Sequence, residues 1–187
     1  GVYLSGHPLD PYQAKIKKLS NFSSKMIQEE NNIDYWKVNT AGLIINKKKH
    51  VTKRNNLMAF LTIEDWFGKI KVVVFPDLYN NLSFKIEEGE SIFINGYFKG
   101  DDSLIAKEII PLKKQFVLFN LDQAQLSTRE LSRLKYIFGK NSGENPVFFQ
   151  INKKVILADC SYWVEVENSS IKTQLEQLLG KNNIRYL

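Results

Sequence analysis

Residues 57–75, with the sequence LMAFLTIEDWFGKIKVVVF, decide the fold of this chain. The stretch is rich in β-branched and aromatic residues, and apolar and polar residues alternate over 61–64 and 69–72, which is typical of β-strands. The two halves of the stretch are joined by a short polar and aromatic link ending at Gly68, and glycine adopts the positive φ that tight hairpins need. We therefore predict two paired strands, over residues 58–65 and 69–75.

Further strand-like segments lie on both sides of this hairpin. Residues 38–46 precede it, and residues 92–99 and 104–110 follow it, after a helix that Pro76 begins and that runs over residues 76–82. Five strands with a helix between the third and the fourth are typical of an OB barrel, a Greek-key barrel that commonly binds oligonucleotides. The sequence therefore predicts a five-stranded OB domain over residues 35–112.

The two flanking parts have different patterns. Residues 1–34 combine turn residues with one short amphipathic helix that Asp10 caps, and a polar connector closes them, formed by Asn31, Asn32 and Asp34. Residues 113–187 mix short strands with two capped helices. The predicted fold class is thus mainly β with α+β: a short N-terminal helical segment, the barrel, and a small C-terminal α+β domain.

Within the C-terminal domain the pattern predicts four strands, at residues 116–121, 146–151, 155–159 and 162–166. One helix begins at Ser127 or Thr128 and ends at Gly139, and the other begins at Ser169 or Ser170 and ends at Gly180. The last apolar residues, Ile184, Tyr186 and Leu187, have no evident element to bury them. A tail of this kind packs more often on its own domain than on a partner.

Composition excludes several classes of protein. Of 187 residues 43% are apolar and 25% are charged, which is typical of a globular chain, and no apolar run is long enough to span a membrane. The single cysteine, Cys160, cannot form an internal disulfide, and with only two histidines beside it a four-ligand zinc site is excluded. We expect a cytoplasmic protein, and because it begins at Gly1, a piece of a longer polypeptide.

The residue patterns of enzymes are missing from the sequence. It contains no glycine-rich phosphate loop, and neither His7 nor His50 lies beside a nucleophile and a third polar group. The paired carboxylates of Asp101 and Asp102 lie in a predicted hairpin turn, where solvation is a better explanation than metal binding. We therefore predict no catalytic residue, no metal site and no cofactor within this chain.

The densest positive charge lies after the first predicted strand. Five basic residues occur in ten positions with no acidic residue among them: Lys47, Lys48, Lys49, Lys53 and Arg54. In OB barrels the loop between strands one and two flanks the face of strands two and three to which nucleic acid binds. The position of this cluster predicts a nucleic-acid contact, although a lysine-rich loop that only aids solubility fits the composition equally well.

The face of the predicted hairpin adds a second part to that site. Phe60 alternates away from the apolar positions of its strand, and Lys69 and Lys71 do the same on the next strand. A ring on which bases stack, with ammonium groups for phosphates, is the usual arrangement for binding single strands. The acidic pair Asp101 and Asp102 in the second flanking loop argues for weak binding or for a path that avoids it.

Several motifs resemble the catalytic alpha subunits of bacterial DNA polymerase III, which are C-family replicative DNA polymerases. The motifs are YLSGHPLD at 3–10, TKRN at 52–55, LTIED at 61–65 with Gly68, and VVVFP at 72–76. The resemblance covers nearly all of the chain and is strongest over residues 1–112. Two positions depart from the family: Asn55 stands where glycine is usual, and Leu57 where a basic residue is frequent.

The resemblance implies the C-terminal part of such a polymerase. It implies an OB domain near single-stranded template DNA and a terminal domain that docks the tau subunit of the clamp loader. The magnesium-binding carboxylates of the parent polymerase would lie outside this chain, so the rest of the polymerase chain is a further implied partner. The exposed candidates for contacting tau are three basic residues on the two predicted helices: Arg129, Arg133 and Lys172.

Two alternatives remain open at this point. The strand pattern and the Glu-Asp-x-x-Gly hairpin also occur in the anticodon-binding OB domains of aminoacyl-tRNA synthetases, although the 3–10 motif and the terminal unit have no place there. A protein-interaction module, in which the barrel packs on neighbouring domains and its lysines stay solvated, is the third possibility.

Overall fold

The computed structural model describes five ranges of the chain: 6–29, 36–99, 103–122, 126–167 and 169–187. The chain divides into two compact units, Gly1–Lys113 and Lys114–Leu187, here called the barrel unit and the second unit. Some sequence predictions lie outside the described ranges: the turn at Asp101 and Asp102, the connector at Asn31, Asn32 and Asp34, and residues 3–5 of the opening motif. Within those ranges no helix is long and apolar enough to cross a bilayer.

Five strands of the barrel unit form a closed barrel. They are β1 (Trp36–Val51), β2 (Leu57–Glu64), β3 (Lys69–Val74), β4 (Ser91–Lys99) and β5 (Ser103–Pro111). Around the barrel their order is β1-β2-β3-β5-β4, and every pairing is antiparallel except the parallel pairing of β3 with β5. The prediction of a mainly β chain with a five-stranded OB barrel is confirmed.

Alternating apolar residues fill the interior of the barrel. Leu61 and Ile63 of β2 face Ile70 and Val72 of β3, and all four side chains are almost fully buried. Because side chains alternate across a strand, the residues between them point outward, which is why the hairpin sequence specifies both the core and the outer face.

Three short helices belong to the barrel unit: α1 (Gln13–Leu19), α2 (Ser24–Glu29) and α3 (Pro76–Asn81). The sequence did not predict α2, whose start depends on a distant residue. The buried carboxylate of Asp65 accepts hydrogen bonds from the Ser24 backbone N–H at 2.7 Å and its hydroxyl at 2.5 Å. It also accepts from the N–H groups of Phe67 and Gly68, so one side chain holds both the β2–β3 turn and the start of α2.

Asp10 does not cap α1, contrary to the prediction. A short 3₁₀ turn over Asp10–Tyr12 precedes the helix, and the Asp10 carboxylate instead accepts hydrogen bonds from the Trp66 indole at 2.9 Å and the His7 N–H at 2.8 Å. These two bonds lower the pKa of Asp10. The carboxylate thus ties the entry of the chain to the β2–β3 turn.

The second unit contains one four-stranded sheet and two longer helices. Its elements are β6 (Val117–Asn120), α4 (Thr128–Lys140), β7 (Ser142–Asn145), β8 (Val147–Ile151), β9 (Lys154–Leu157), α5 (Ser169–Leu179) and β10 (Ile184–Tyr186). The sheet has the order β10-β6-β8-β9, and β7 lies outside it. One core joins the sheet to both helices, with Phe119 and Val147 packed among Phe138 and Leu175.

Two predictions in this unit are wrong in detail. Residues 162–166 form no sheet strand, because the Asp159 carboxylate accepts from the Ser161 N–H at 3.0 Å and begins a 3₁₀ turn over Cys160–Tyr162. The helix α4 continues through Gly139 to Lys140. The last apolar residues pack on their own unit, as expected for such a tail, since β10 lies beside β6 with Ile184 only 7% exposed.

Candidate nucleic-acid interface

The first strand is longer than predicted, and this changes the setting of the basic cluster. β1 pairs with β2 as far as Val51 opposite Leu57, so Lys47, Lys48 and Lys49 lie in a strand and not in a loop. An irregularity between Ile44 and Asn46 shifts the register by one residue. Because a shift of one residue reverses which side chains face outward, this bulge decides which lysines reach the outer face.

One outer face brings together an exposed ring and two lysines. Phe60 is 42% exposed and lies directly opposite Lys48 of β1, while its neighbour Thr62 lies opposite Lys71 of β3. Directly opposed side chains on one face lie about 5 Å apart at Cβ. The face predicted to carry Phe60 and Lys71 therefore also carries Lys48, which the sequence had placed in the flanking loop.

Lys69 lies at the far end of the same face. Its cross-strand partner is Glu64, an opposite charge, and such pairs reduce the charge that a ligand meets. Lys69 is exposed and on the predicted face, but its setting is less positive than that of Lys71.

Lys47 and Lys49 alternate with Lys48 along β1 and therefore belong to the other face of the strand. They lie across from Leu61 and Ala59, whose side chains point into the barrel. The Lys47 ammonium donates to the Ile86 carbonyl oxygen at 2.5 Å, and the Lys47 backbone N–H donates to the Glu88 carboxylate at 2.8 Å. Lys47 therefore holds the segment before β4, whereas Lys49 remains exposed at the end of the barrel.

Acidic residues offset part of the charge around Lys47. Glu87 lies in the segment that Lys47 contacts and forms an ion pair with Lys85. The hydrogen bond from Lys85 lowers the pKa of Glu87, and the charge of Lys47 contributes in the same direction. The local excess of positive charge seen in the sequence is therefore smaller in the folded chain on this side of β1.

Lys53 and Arg54 lie at the tip of a compact turn between β1 and β2. The turn is closed by the Thr52 N–H, which donates to the Asn56 carbonyl at 2.9 Å, and by the Asn55 N–H, which donates to the Thr52 carbonyl at 2.9 Å. Asn55 has a φ of 60°, the left-handed conformation that glycine adopts readily and asparagine tolerates. Its substitution for the family's usual glycine therefore fits the turn, and both cations at its tip remain exposed.

The outer face also includes two residues that the sequence did not predict, His50 and Tyr97. The His50 ring lies 6.0 Å from that of Phe60, centroid to centroid. Tyr97 of β4 is 38% exposed and lies opposite Lys37 of β1. Alternation around the buried Phe98 was a signal for Tyr97, but only the strand order shows which outer residues are its neighbours.

The interface offers rings and cations rather than reactive groups. In the part of the chain that the structure describes, no group of three His, Cys, Asp or Glu residues is placed to hold a metal ion. What this face can do chemically is stack bases and neutralise phosphates.

The predicted partner-binding residues lie in the second unit. Arg129 and Arg133 are exposed on α4, which begins with a capping box formed by Ser127 and Glu130. Lys172 lies on α5, where its ammonium is 4.7 Å from the centre of the Tyr186 ring. The two arginines are thus free of ion pairs within the described residues, whereas Lys172 is packed on its own unit.

Comparisons with known proteins cover both units. Residues 38–112 match the family described as OB-fold nucleic acid binding domain. DNA polymerase III subunit alpha of Halalkalibacterium halodurans is 27% identical over 98% of this chain, and that of Escherichia coli O6:H1 is 22% identical over 98%. The chain spans 17% of the length of each of these relatives. The same subunit from Borreliella burgdorferi is 29% identical over 82% of this chain, and the match spans 14% of that subunit.

Two solved structures show likeness to less than half of the chain. The match to a domain of replication protein A from Methanococcus maripaludis covers 46% of this chain and 90% of that domain, with a TM-score of 0.38 and 17% sequence identity. The match to a mitochondrial single-stranded DNA binding protein of S. cerevisiae covers 43% of this chain and 96% of that protein chain, with a TM-score of 0.35 and 22% sequence identity. The chain is therefore similar, over nearly its whole length, to a part of DNA polymerase III subunit alpha, and its barrel matches the family described as OB-fold nucleic acid binding domain.

Proposed function

We propose that this chain is the C-terminal part of a replicative DNA polymerase alpha subunit and that its barrel binds single-stranded template DNA. In this proposal a helical connector (1–34) leads to the OB domain (35–112), and a terminal domain (113–187) docks the tau subunit of the clamp loader. The protein acts in the cytoplasm, and polymerisation itself is carried out by the rest of the polymerase chain with its magnesium ions.

The observation that carries the DNA-binding proposal is the outer face of β2 and β3. Phe60 presents 42% of its surface to solvent in the middle of a regular sheet, where an apolar ring gains nothing from exposure. Lys48 lies directly across from it, and Lys71 lies two pairs further along the β2–β3 pairing, on the same face. An exposed ring beside cations fits a single strand whose base stacks on the ring while its phosphates lie against the ammonium groups.

The basic turn supplies a test that depends on charge alone. Each phosphate contact on a single strand contributes about −0.7 to the slope of log affinity against log salt. The double variant Lys53→Ala/Arg54→Ala should therefore bind fluorescein-labelled dT12 more weakly and flatten that slope by about 1.4 if both cations meet phosphates. The matched control is Lys17→Ala/Lys18→Ala, which removes the same charge from the exposed face of α1.

Equal losses in the two double variants would mean that only net charge matters, and the proposed site would then be abandoned. The nucleic acid also discriminates between the candidate functions. Preference for an RNA stem-loop over dT12 would favour the anticodon-binding alternative. No binding of either ligand at low salt would favour the protein-interaction module.

The docking proposal for the second unit is supported by the outer face of α4. Four residues recur there at spacings of four, three and four: Arg129, Arg133, Tyr136 and Lys140. Residues at these spacings share one side of a helix, and Tyr136 is 66% exposed. Tyrosine and arginine are enriched in the energetically dominant parts of protein interfaces, so this face suits an acidic segment of a protein partner.

Charge reversal in the full chain tests the docking. Arg129→Glu/Arg133→Glu should weaken binding of purified tau at least tenfold in calorimetry, because both cations would then repel an acidic partner. Lys17→Glu/Lys18→Glu makes the same change of charge on the barrel unit and should leave tau binding unaltered. Unchanged affinity in the α4 variant would remove tau from this face.

A further inference from the structure

A continuous line of residues crosses the outside of the barrel. Strand pairing places Phe60 of β2 opposite Val73 of β3, Val73 opposite Ile105 of β5, and Ile105 opposite Tyr97 of β4. The two ends of the line are both lysines of the long strand β1: Lys48 is opposite Phe60, and Lys37 is opposite Tyr97. We call this line the crossing row; its members are Lys48, Phe60, Val73, Ile105, Tyr97 and Lys37.

The exposure of its members shows that the crossing row lies on the outer face. Both lysines are exposed, Phe60 and Tyr97 are 42% and 38% exposed, and Val73 and Ile105 between them are half-buried. Their sequence neighbours Leu61, Val72, Leu104 and Phe98 are all buried, as strand alternation requires. The row thus has an aliphatic centre, a ring on each side of it and a cation at each end, with no acidic residue among its members.

The dimensions of the row fit a short nucleic-acid strand. Three strand spacings of about 4.8 Å separate Phe60 from Tyr97, roughly 14 Å measured along the sheet. Successive nucleotides of a stacked strand rise by about 3.4 Å, so some four nucleotide steps cover that distance. The bases between the two rings would lie over Val73 and Ile105, and the ends of the strand would meet the two lysines.

We propose that a single strand of nucleic acid crosses the barrel along the crossing row, with one base stacked on Phe60 and another on Tyr97. This inference rests on the proposed function and extends it from the β2–β3 face across the β3–β5 seam to β4. It makes Tyr97 a second stacking platform and Lys37 a phosphate contact. A ligand that reaches only one ring uses half of the site, so affinity depends on length.

The length of the oligonucleotide tests this arrangement in the full chain. We expect Phe60→Ala and Tyr97→Ala each to weaken dT12 binding at least fivefold, since a stacked base contributes that much or more. A dT4 strand is too short to stack on both rings, because its three steps cover about 10 Å. A dT4 strand can use either ring alone, so removal of one ring leaves the other available, and Tyr97→Ala should change dT4 affinity by about twofold or less.

Further variants separate stacking from damage to the barrel. Tyr97→Phe retains a ring and should bind dT12 like the parent chain, whereas Tyr97→Leu keeps an apolar side chain without a ring and should be as weak as Tyr97→Ala. Phe67→Ala removes an exposed ring from the β2–β3 turn, outside the crossing row, and should leave dT12 binding unchanged. Melting curves of the Tyr97 variants within a few degrees of the parent show that the barrel is intact.

The outcomes distinguish this inference from the proposed function. If Phe60→Ala weakens dT12 binding and Tyr97→Ala or Tyr97→Leu does not, the strand leaves the barrel before β4 and the crossing row is wrong, while the β2–β3 site stands. Equal losses for dT4 and dT12 in Tyr97→Ala would also overturn the row. If the parent chain binds no single strand at low salt, the proposed function and the crossing row fail together.

Discussion

The two units obtain their order in different ways. In the barrel unit, strands of up to 16 residues pair around a closed ring, and each strand has a neighbour on both sides. In the second unit, strands of three to five residues form an open sheet with edges at β9 and β10. In the closed barrel each strand is held by two neighbours, so alternation within a strand predicts most of the outer face, whereas the short open sheet depends on helices and on its last strand.

Two aspartates show the same contrast at the level of single turns. Asp65 holds the turn between β2 and β3 by accepting from Phe67 and Gly68, and it is 5% exposed. Asp122 holds the turn between β8 and β9 by accepting from the backbone N–H groups of Asn152 and Lys153, and it is exposed. Burial, rather than the number of turn bonds, should decide how much each carboxylate contributes.

The largest effects should come from glycines where the backbone of another segment comes close. A Cβ on Gly96 would lie 2.2 Å from the Ile105 carbonyl oxygen in the barrel, and one on Gly143 would lie 2.2 Å from the Glu165 nitrogen in the second unit. We expect Gly96→Ala and Gly143→Ala each to lower the free energy of unfolding by about 3 kcal/mol or more. Hydrogen exchange should show faster exchange mainly in the unit that carries the substitution.

The control for these two is Gly139→Ala, since a Cβ there has no atom within 4 Å. This variant should be neutral or slightly stabilising, because alanine favours the helix. If Gly96→Ala accelerated exchange equally in both units, the barrel and the second unit would not be separately stabilised, and the comparison between them would lose its basis.

The next largest effect concerns the end strand of the second unit. Ile184 is 7% exposed in β10, and Leu187 exchanges two backbone hydrogen bonds with Phe116, at 2.8 and 2.9 Å. Ile184→Ala should destabilise the second unit by about 2 to 3 kcal/mol through the lost burial. Ile156→Ala on the opposite edge strand, at a side chain that is 40% exposed, should cost less than about 1 kcal/mol in urea unfolding. Similar losses at the two edges would show that β10 is not part of the core.

The next effect, smaller in free energy of unfolding, compares Asp65 with Asp122. Asp65→Ala leaves the buried donors of Ser24 without their acceptor and should cost about 2 kcal/mol. Asp122→Ala exposes its donors to water and should cost less than about 1 kcal/mol. Thermal unfolding of both variants beside Asp77→Ala, an exposed aspartate in the first turn of α3, measures the difference. A loss at Asp122 as large as that at Asp65 would contradict the role given to burial.

The smallest effects should be two pH dependences of opposite sign. Burial lowers the pKa of Lys15 to about 8, so between pH 8 and 10.5 the unfolded chain binds more protons, and the stability of the barrel unit rises with pH. Burial raises the pKa of Tyr186 above 10.0, so the folded chain holds that proton more tightly, and the stability of the second unit falls as pH passes 10. Both side chains are partly exposed, so screening by solvent keeps the effects small.

Two variants isolate these contributions. Lys15→Met should remove the rise in urea stability between pH 8 and 10.5, and Tyr186→Phe should remove the fall above pH 10. Each variant serves as the control for the other, because the groups lie in different units. Persistence of the rise in Lys15→Met would assign it to another group.

The barrel and its β2–β3 face could be predicted because both follow from local alternation. Phe60 lies between buried residues of its own strand, and the hairpin register places Lys71 on the same side. The extent of β1 could not be predicted, since residues 47–51 carry no apolar pattern and are held in the strand by pairing with β2. The start of α2 was missed because Asp65, which binds Ser24, is 41 residues away.

The remainder of the candidate site depends on strand order rather than on local sequence. The position of Tyr97 relative to Phe60 requires the parallel pairing of β3 with β5, which no local pattern indicates. Lys47 was included because charge was counted by sequence, but the bulge at residues 44–46 and the Ile86 carbonyl place it on the other side of β1. The β10 strand was missed because its partner β6 lies more than sixty residues earlier.

The most direct test of the account is photo-crosslinking of the full chain to a 5-iododeoxyuridine oligonucleotide, with the adducts located by mass spectrometry. Among the described residues, the exposed large aromatic side chains divide between the units: Phe60, Phe67, Phe75 and Tyr97 lie in the barrel unit, and Tyr136 lies in the second unit. The account predicts adducts at Phe60, reduced by unlabelled dT12 and by raised salt, and none at Tyr136. Adducts at Tyr136 or Phe67 without any at Phe60 would contradict it.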